Sequence, residues 1–435
     1  MSLDYTLAGT SDQLLSSLDF SLAPSANYVI SRQLTQFYPS SGNSMAPTGV
    51  QVARIVLSGT DWLDLSSVRV QFTVQNLGNQ DFKPRSICPA NFFNRVRLLA
   101  SGVVVDDQWY HNRVDNVIRT LQPENFNLQE QLCGFPALAD GSPVAISGAG
   151  SYTVSFAPIA LGLFRTGKMW PLFAAPLVLE MYLEQTLFVC RSGTYYTPGD
   201  ATQRTWSQAY QLQNMEIKAD IVQLDSALDN SYRKLLMEGG KALTIGWSEC
   251  VTQKCILPAN SNNWSVSAVR ALSKLDSVLV SFCDGDDNPT RLFCPDQTPK
   301  SQTAFNHVTE YSPTFLVSIG SKRFPDKPID HLGGYLWNLR KAVGTYAQTL
   351  VTHSISPASY MNIGHIVGVS TQRVCGPNGA WTGLNCRAGD LIQVTMNNVP
   401  TQITANQGSI ADRLFLHLIC SAVLEIRSDG CAVYD

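Results

Sequence analysis

Short segments in which apolar and polar residues alternate recur along the whole sequence. In residues 68–74 the apolar positions are Val68, Val70, Phe72 and Val74. A period of two places successive side chains on opposite faces of a β-strand, so one face packs into a core and the other meets solvent. Similar segments occur at 152–156, 177–183, 215–221, 315–319, 392–396 and 414–418. The alternation predicts an all-β protein.

Helical periodicity is confined to three places, residues 115–121, 226–237 and 330–346. Clusters of Gly, Pro and Asn separate the predicted strands from one another. Short strands joined by turn residues, with few helices between them, favour antiparallel sandwiches over alternating β–α units.

The order of predicted elements repeats after half of the chain. A strand reaches Gly102 or Gly320, and a loop and a helix rich in apolar side chains follow in both places. The strand segments 177–183 and 215–224 recur as 391–399 and 416–426. A chain of 435 residues also exceeds what one hydrophobic core usually serves. The repeat predicts two copies of one β-domain.

The predicted boundary lies at the helix 226–237 and the Gly239-Gly240 pair that ends it. The chain is then divided into an N-terminal arm (1–45), a first β-domain (46–238) and a second β-domain (239–435). Residues 1–45 are rich in serine and poor in apolar residues, so we expect them to order against a neighbouring molecule.

Charge argues against several classes of protein. The formal net charge of −3 gives no overall positive field for a phosphate backbone, so direct nucleic-acid binding is not expected. The first basic residue is Arg32, which predicts neither a basic arm nor a secretion signal. The uncharged stretch 141–164 contains Gly, Ser and Pro throughout, so it is not a transmembrane segment.

No motif meets the requirements of a catalytic, cofactor or metal site. Residues 284–288 carry three Asp, but prolines stand where a calcium-binding loop needs Gly and Glu, so a turn is favoured over a cation site. The carboxylate pairs Asp106–Asp107 and Glu180–Glu184 remain open as a glycosidase alternative. The eleven cysteines show no paired spacing and are interpreted as reduced thiols.

The segment from Asn91 to Leu121 resembles a known family. Asn91-Phe92-Phe93-Asn94 opens a strand that ends at Gly102, and Tyr110 and a helix ending in Val117-Ile118-Arg119-Thr120-Leu121 follow. This order is similar to that of the major capsid proteins of virophages, Polinton-like viruses and adintoviruses. Further similar segments are Leu163-Phe164, Met169-Trp170-Pro171-Leu172, the unit around Gly320 and Tyr335, and the closing strands 414–425.

The resemblance covers most of residues 48–435 and implies a double jelly roll, with two side-by-side jelly-roll β-sandwiches and a few short flanking helices. It implies a major capsid protein whose homotrimers form pseudo-hexameric capsomers in an icosahedral shell around a DNA genome. The implied partners are copies of the chain, neighbouring capsomers, and penton and minor capsid proteins. The implied location is the virion, after synthesis in the host cell without a secretion signal, and no cofactor or enzymatic activity is expected.

Four aromatic residues are predicted to contact other chains. Trp109, Tyr110, Tyr335 and Trp337 exceed what a thin sandwich hides, and Trp and Tyr are enriched at interfaces. Charged residues form only 15% of the chain, which also favours assembly because interface cores are depleted in charge. The alternative is a carbohydrate-active enzyme or a lectin-like binding protein built on tandem sandwiches.

Overall fold

The computed structural model describes most of both predicted β-domains. The described residues are 28–40, 42–138, 142–196, 203–237, 241–258, 261, 263–283, 314–344, 355, 360, 364–373, 382–387, 390–398, 413–428 and 430–434. The predictions that lie wholly or partly outside them include residues 1–27 of the arm, the boundary at Gly239-Gly240, the acidic segment 284–288, and the ends of the third predicted helix (345–346) and of the segment 391–399.

The first half of the chain folds into two antiparallel sheets that enclose a core. The long strands are β1 (Val29–Phe37), β3 (Val52–Leu57), β5 (Arg69–Asn76), β6 (Phe93–Ala100), β7 (Val103–Trp109), β8 (Ser151–Phe156), β10 (Leu177–Leu183) and β13 (Tyr210–Leu224). The short strands are β2 (Ser44–Met45), β4 (Trp62–Asp64), β9 (Met169–Pro171), β11 (Thr194–Tyr196) and β12 (Gln203–Thr205). The helices are α1 (His111–Thr120), α2 (Glu124–Gln131), α3 (Thr186–Val189) and α4 (Ser226–Met237).

The second half forms another pair of antiparallel sheets. Its strands are β14 (Leu243–Ile256), β15 (Trp264–Val269), β16 (Leu275–Cys283), β17 (Thr314–Ile319), β18 (Lys322–Ile329), β19 (Ile366–Ser370), β20 (Leu391–Asn397), β21 (Arg413–Arg427) and β22 (Gly430–Tyr434). The helix α5 (Leu332–Ala342) follows β18.

Both halves have the same strand order. The sheets β1-β13-β5-β8 and β3-β10-β6-β7 of the first half correspond to β14-β21-β16-β19 and β15-β20-β17-β18 of the second. Equivalent strands also follow one another in the same order along the chain. Eight strands in two antiparallel sheets with this crossing order form a jelly roll. The predicted all-β fold of two jelly-roll sandwiches is confirmed; β1–β13 form the first roll and β14–β22 the second roll.

The segments after Gly102 and Gly320, which were predicted as loops, are the strands β7 and β18. Each pairs with the preceding strand across a two-residue turn, from Ala100 to Val103 and from Ile319 to Lys322. Ser101 and Gly102 both have positive φ, as the tightest hairpin turns require. A register shift between Leu98 and Leu99 interrupts the first pairing, and β18 is mostly exposed. Neither strand therefore shows a clean alternation.

Part of the predicted N-terminal arm belongs to the first roll. The strand β1 pairs with β13 over eight positions, from Val29 opposite Leu224 to Phe37 opposite Ile217. The strand buries no side chain fully because it lies at the edge of its sheet. An edge strand that buries little lacks the apolar alternation that identifies a strand in a sequence.

The bounds of the helices agree in part with those predicted from the sequence. The predicted helix 226–237 is α4, whereas the predicted helix 115–121 begins earlier, at His111, and the third spans Leu332–Ala342. The segments 414–418 and 423–426 are parts of one strand, β21, which is 15 residues long. The bulk of its side chains are buried, so its pattern is close to continuous rather than alternating.

The buried residues of the two rolls meet. Phe72 lies at the centre of the first core, with edge-to-face contacts to Phe92, Phe93 and Phe156. Buried residues from the second roll join this same cluster: Ile245, Trp247, Ala422, Leu424 and Ile426. Apolar packing thus continues from one roll to the other, and the boundary between residues 238 and 239, which lies outside the described residues, remains a prediction.

Candidate assembly interface

The start of α1 joins the two rolls. Tyr110 precedes α1 with a left-handed backbone (φ 55°), which directs the helix away from β7. Its ring lies 5.3 Å from the ring of Phe415 on β21, in an edge-to-face arrangement. The guanidinium of Arg113 lies 5.4 Å from the same ring, and Lys254 of β14 lies 6.0 Å from Tyr110. Aromatic and cation–π contacts therefore connect the first roll to the second.

One face of α1 is apolar and packs on the second roll. Val114 and Ile118 form a cluster with Cys250 and Ile419, which lie on β14 and β21. Val117 and Leu121 join the core of the second roll. These helical residues follow the i, i+3, i+4, i+7 spacing of a helix stripe. The helix of the first roll thus covers a sheet of the second roll.

The polar face of α1 is anchored in the first roll. Asn112 Nδ2 donates a hydrogen bond to Glu184 (2.9 Å), and Arg119 Nη2 donates to the carbonyl oxygen of Ala157 (3.1 Å). Cys88 Sγ lies 3.2 Å from Asp115, and burial raises the pKa of this thiol. Buried charges persist where partners satisfy them, so these contacts fix the rotation of α1 about its axis.

Asp106 is a buried carboxyl group at the contact between the rolls. It lies on β7, and neither of its carboxyl oxygens has a hydrogen-bond partner among the described residues. Burial raises its pKa well above the ordinary value, and the charges of Glu249 and Asp107 add to the shift. Arg165 acts in the opposite direction. Asp106 is therefore most stable in the fold as a neutral acid.

Replacing Asp106 by Asn is expected to stabilise the protein at pH 8. The unfolded chain loses this proton near pH 4, whereas the folded chain retains it to higher pH, so rising pH favours unfolding until the folded pKa is passed. The gain is about 1.4 kcal/mol for each pKa unit of the shift, measured by urea unfolding. The control is Asp326→Asn, because Asp326 is exposed on β18. No gain for Asp106→Asn at pH 8 relative to pH 5 contradicts the prediction.

The four predicted interface residues fall into two groups. Trp109 and Trp337 are 46% and 47% exposed, with Arg95 stacked 4.0 Å from Trp109 and Lys341 5.4 Å from Trp337. Tyr110 lies between the rolls of its own chain. Tyr335 is only 5% exposed and packs inside the second roll. Contact with other chains stays a prediction for these residues, and the exposed pair is placed to make it.

The structure shows the surroundings of the four candidate glycosidase carboxylates. Glu180 and Asp107 lie in one cross-strand row of alternating charge, Arg54–Glu180–Arg97–Asp107, on the outer face of the β3-β10-β6-β7 sheet. Glu184 is held by Asn112, and Asp106 is enclosed between the rolls. Ion pairs or hydrogen bonds thus hold Glu180, Asp107 and Glu184, whereas Asp106 is buried without a hydrogen-bond partner among the described residues, and nothing favours the enzyme or lectin alternative.

Gly162 marks a close backbone approach that no sequence pattern indicates. It begins the 3₁₀ turn Gly162–Arg165 and faces β14. A β-carbon at Gly162 would overlap the carbonyl oxygen of Ser248 and lie 3.1 Å from Trp247 Cδ1. Only glycine permits this approach without displacement of the backbone.

The described residues form neither a cluster of metal ligands nor a membrane-spanning helix. Among them, no group of three or more His, Cys, Asp or Glu side chains is arranged to hold a metal ion. The helices described here are all too short or too polar to span a membrane. The nine cysteines in the described part of the chain are free thiols.

Comparison with known proteins gives structural matches only. Neither a protein-family model nor a curated protein matches the sequence. PBCV-1 VP54, fitted into a reconstruction of the virophage Sputnik, is 12% identical with a TM-score of 0.61, covering 96% of this chain and 99% of VP54. The Faustovirus major capsid protein is 10% identical (TM-score 0.55), with 97% of this chain and 96% of that chain covered.

The mavirus major capsid protein is also 10% identical, with a TM-score of 0.50 and coverage of 98% of this chain and 94% of that chain. The chain has the double jelly-roll fold. At these identities the similarity is one of fold, and it extends over nearly the whole of both chains, including both rolls. The resemblance predicted from residues 91–121 is confirmed at this level.

Proposed function

We propose that the chain is the major capsid protein of an icosahedral DNA virus, and that its homotrimers are pseudo-hexameric capsomers. The observation that carries this proposal is the presence of two rolls with one strand order in a single chain. Three such chains supply six similar rolls, so a trimer occupies a six-coordinated position with one kind of fold. Major capsid proteins of Faustovirus and mavirus share the fold.

The proposed role is structural and requires no catalysis. The partners are copies of the chain, neighbouring capsomers, and penton and minor capsid proteins, and the location is the virion. A net charge of −3 favours a shell protein that makes no direct, sequence-specific contact with the genome. Low charge and exposed Trp residues suit surfaces that become buried on assembly.

Size-exclusion chromatography with light scattering tests the proposal. The expected mass is three times the 47.7 kDa of one chain, and electron microscopy of the same fraction is expected to show particles with a six-lobed outline. A stable monomer, or turnover of a glycan by the purified chain, contradicts the capsid proposal.

A further inference from the structure

The contact inside the chain uses a different surface on each roll. The first roll contributes β7, α1 and the turn at Gly162. The second roll contributes the outer side of β14 and β21. The contact is therefore head-to-tail, because the two rolls contribute different surfaces. We call the surface that the first roll contributes the presenting surface, and the surface that the second roll contributes the receiving surface.

Each roll also has the other of these two surfaces. The strand β18 and helix α5 of the second roll correspond to β7 and α1, and form the presenting surface. The strands β1 and β13 of the first roll correspond to β14 and β21, and form the receiving surface. Among the described residues, the more extensive contacts between the two rolls of one chain involve neither of these surfaces.

The receiving surface exposes large apolar side chains along an edge strand. Leu34 on β1 is 63% exposed. Ile30 on the same strand and Tyr28 and Tyr38, which flank its two ends, are also exposed. A long exposed edge strand is a template for association with another chain, and an apolar patch on it marks an interaction site.

Beside β1, the outer face of the same sheet combines ion-paired charges, Arg32 with Asp220 (2.6 Å) and Lys218 with Glu216 (3.2 Å), with uncharged polar pairs. Gln213 Nε2 donates a hydrogen bond to Gln75 (2.5 Å), and the hydroxyls of Thr73 and Thr153 lie 2.9 Å apart. Uncharged polar side chains that satisfy one another are removed from water at a lower cost than isolated charges. This face is suited to burial against a second protein surface.

The presenting surface also exposes an aromatic side chain. Trp337 lies on the outer side of α5, while Tyr335 and Leu339 of the same helix are buried in the second roll. Trp337 borders an open depression that is also lined by Pro325, Pro328 and Lys341. By contrast, α1 has its polar face in its own roll and its apolar face covered by the other roll.

We infer that the presenting surface of the second roll of one copy, which carries Trp337, binds the receiving surface of the first roll of a second copy, which carries Leu34. This contact repeats between chains the contact that α1 makes within one chain. This inference rests on the proposed function, since a ring of head-to-tail contacts closes only with a defined number of rolls. The structure supplies one such contact already formed, and the two surfaces that would repeat it are both exposed.

Two substitutions test this contact. Leu34→Glu and Trp337→Glu each place a charge at the centre of the inferred interface, and each is expected to weaken trimer association at least about 30-fold, as loss of a central hot spot does. Both side chains are exposed within the chain, so circular dichroism and the urea midpoint of the monomer are expected to stay unchanged. The control is Val269→Glu, since Val269 is 64% exposed at the end of β15 on neither surface.

Cross-linking of the unmodified protein gives a second measurement. Trimers assembled from chains with light and heavy nitrogen are treated with a lysine-reactive cross-linker, which separates links within a chain from links between chains. Links between Lys218 of β13 in one copy and Lys327 or Lys341 in another are expected. Trimers that tolerate both substitutions and lack these links contradict the inferred contact alone, whereas a wild-type monomer contradicts the proposed function as well.

Discussion

Replacing Gly162 by Ala is expected to destabilise the protein by about 3 kcal/mol, the upper range for overpacking of a well-packed site. The added β-carbon would overlap the carbonyl oxygen of Ser248. Ser248 pairs with Ser421 in the middle of two long strands, so its backbone has little freedom to move. We expect the turn at Gly162 to withdraw from β14 and the contact between the rolls to loosen.

The matched control is Gly49→Ala, because the nearest atom to a β-carbon at Gly49 lies 3.9 Å away. Urea unfolding measures the loss for both variants, and limited proteolysis reports whether the chain becomes cleavable between residues 237 and 243. An equal midpoint for Gly162→Ala and Gly49→Ala contradicts the close approach of the two rolls.

Much of the fold follows from the sequence where strands are half-buried. The strands β5, β10 and β17 bury every second residue, so their alternation is visible. The alternation of apolar residues does not identify the strand β1 at a sheet edge or the mostly exposed β18, because neither strand buries a regular face. The periodicity of apolar residues reflects the burial of side chains, and an edge strand buries few of them.

The candidate interface was predictable only in part. Aromatic composition identified Trp109, Tyr110, Tyr335 and Trp337, yet the sequence does not distinguish an aromatic ring that packs within its chain from one that meets another chain. The structure separates them, since Tyr110 contacts Phe415 and Tyr335 is buried. Gly162 gave no signal, because its requirement for glycine comes from Ser248, a residue distant in sequence.

Lowering the pH from 7 to 5 is expected to reduce the contribution of three buried histidines to the free energy of unfolding by roughly 5 kcal/mol, which the neutral acid at Asp106 offsets in part. Burial lowers the pKa of His111 and His365 to about 4 and that of His417 to about 3. A histidine with a depressed folded pKa contributes stability above its unfolded pKa of about 6.5, and this stability is lost as the pH falls. Urea unfolding between pH 7 and pH 5 measures the loss.

The slope of the unfolding free energy against pH counts the protons taken up on unfolding. Near pH 5.5 the three histidines are expected to take up close to three protons on unfolding, and Asp106 is expected to release about one, so the net count is about two. His417→Gln is expected to lower this count by about one. His417 lies between the hydroxyls of Thr252 (2.9 Å) and Ser281 (3.0 Å), which an amide side chain can also bond. His331→Gln is the control, because His331 is exposed and meets solvent in both states.

The position of these histidines predicts which part of the molecule responds to acid first. His111 begins α1. His417 lies on β21, and its ring is 6.5 Å from the ring of Phe415. Both therefore flank the contact between the rolls, whereas His365 packs against Tyr360 inside the second roll. Protonation at the contact adds two charges where Arg113 and Lys254 already lie. Hydrogen exchange at pH 5 is accordingly expected to rise in α1 before it rises in β16 and β17; the reverse order contradicts this assignment.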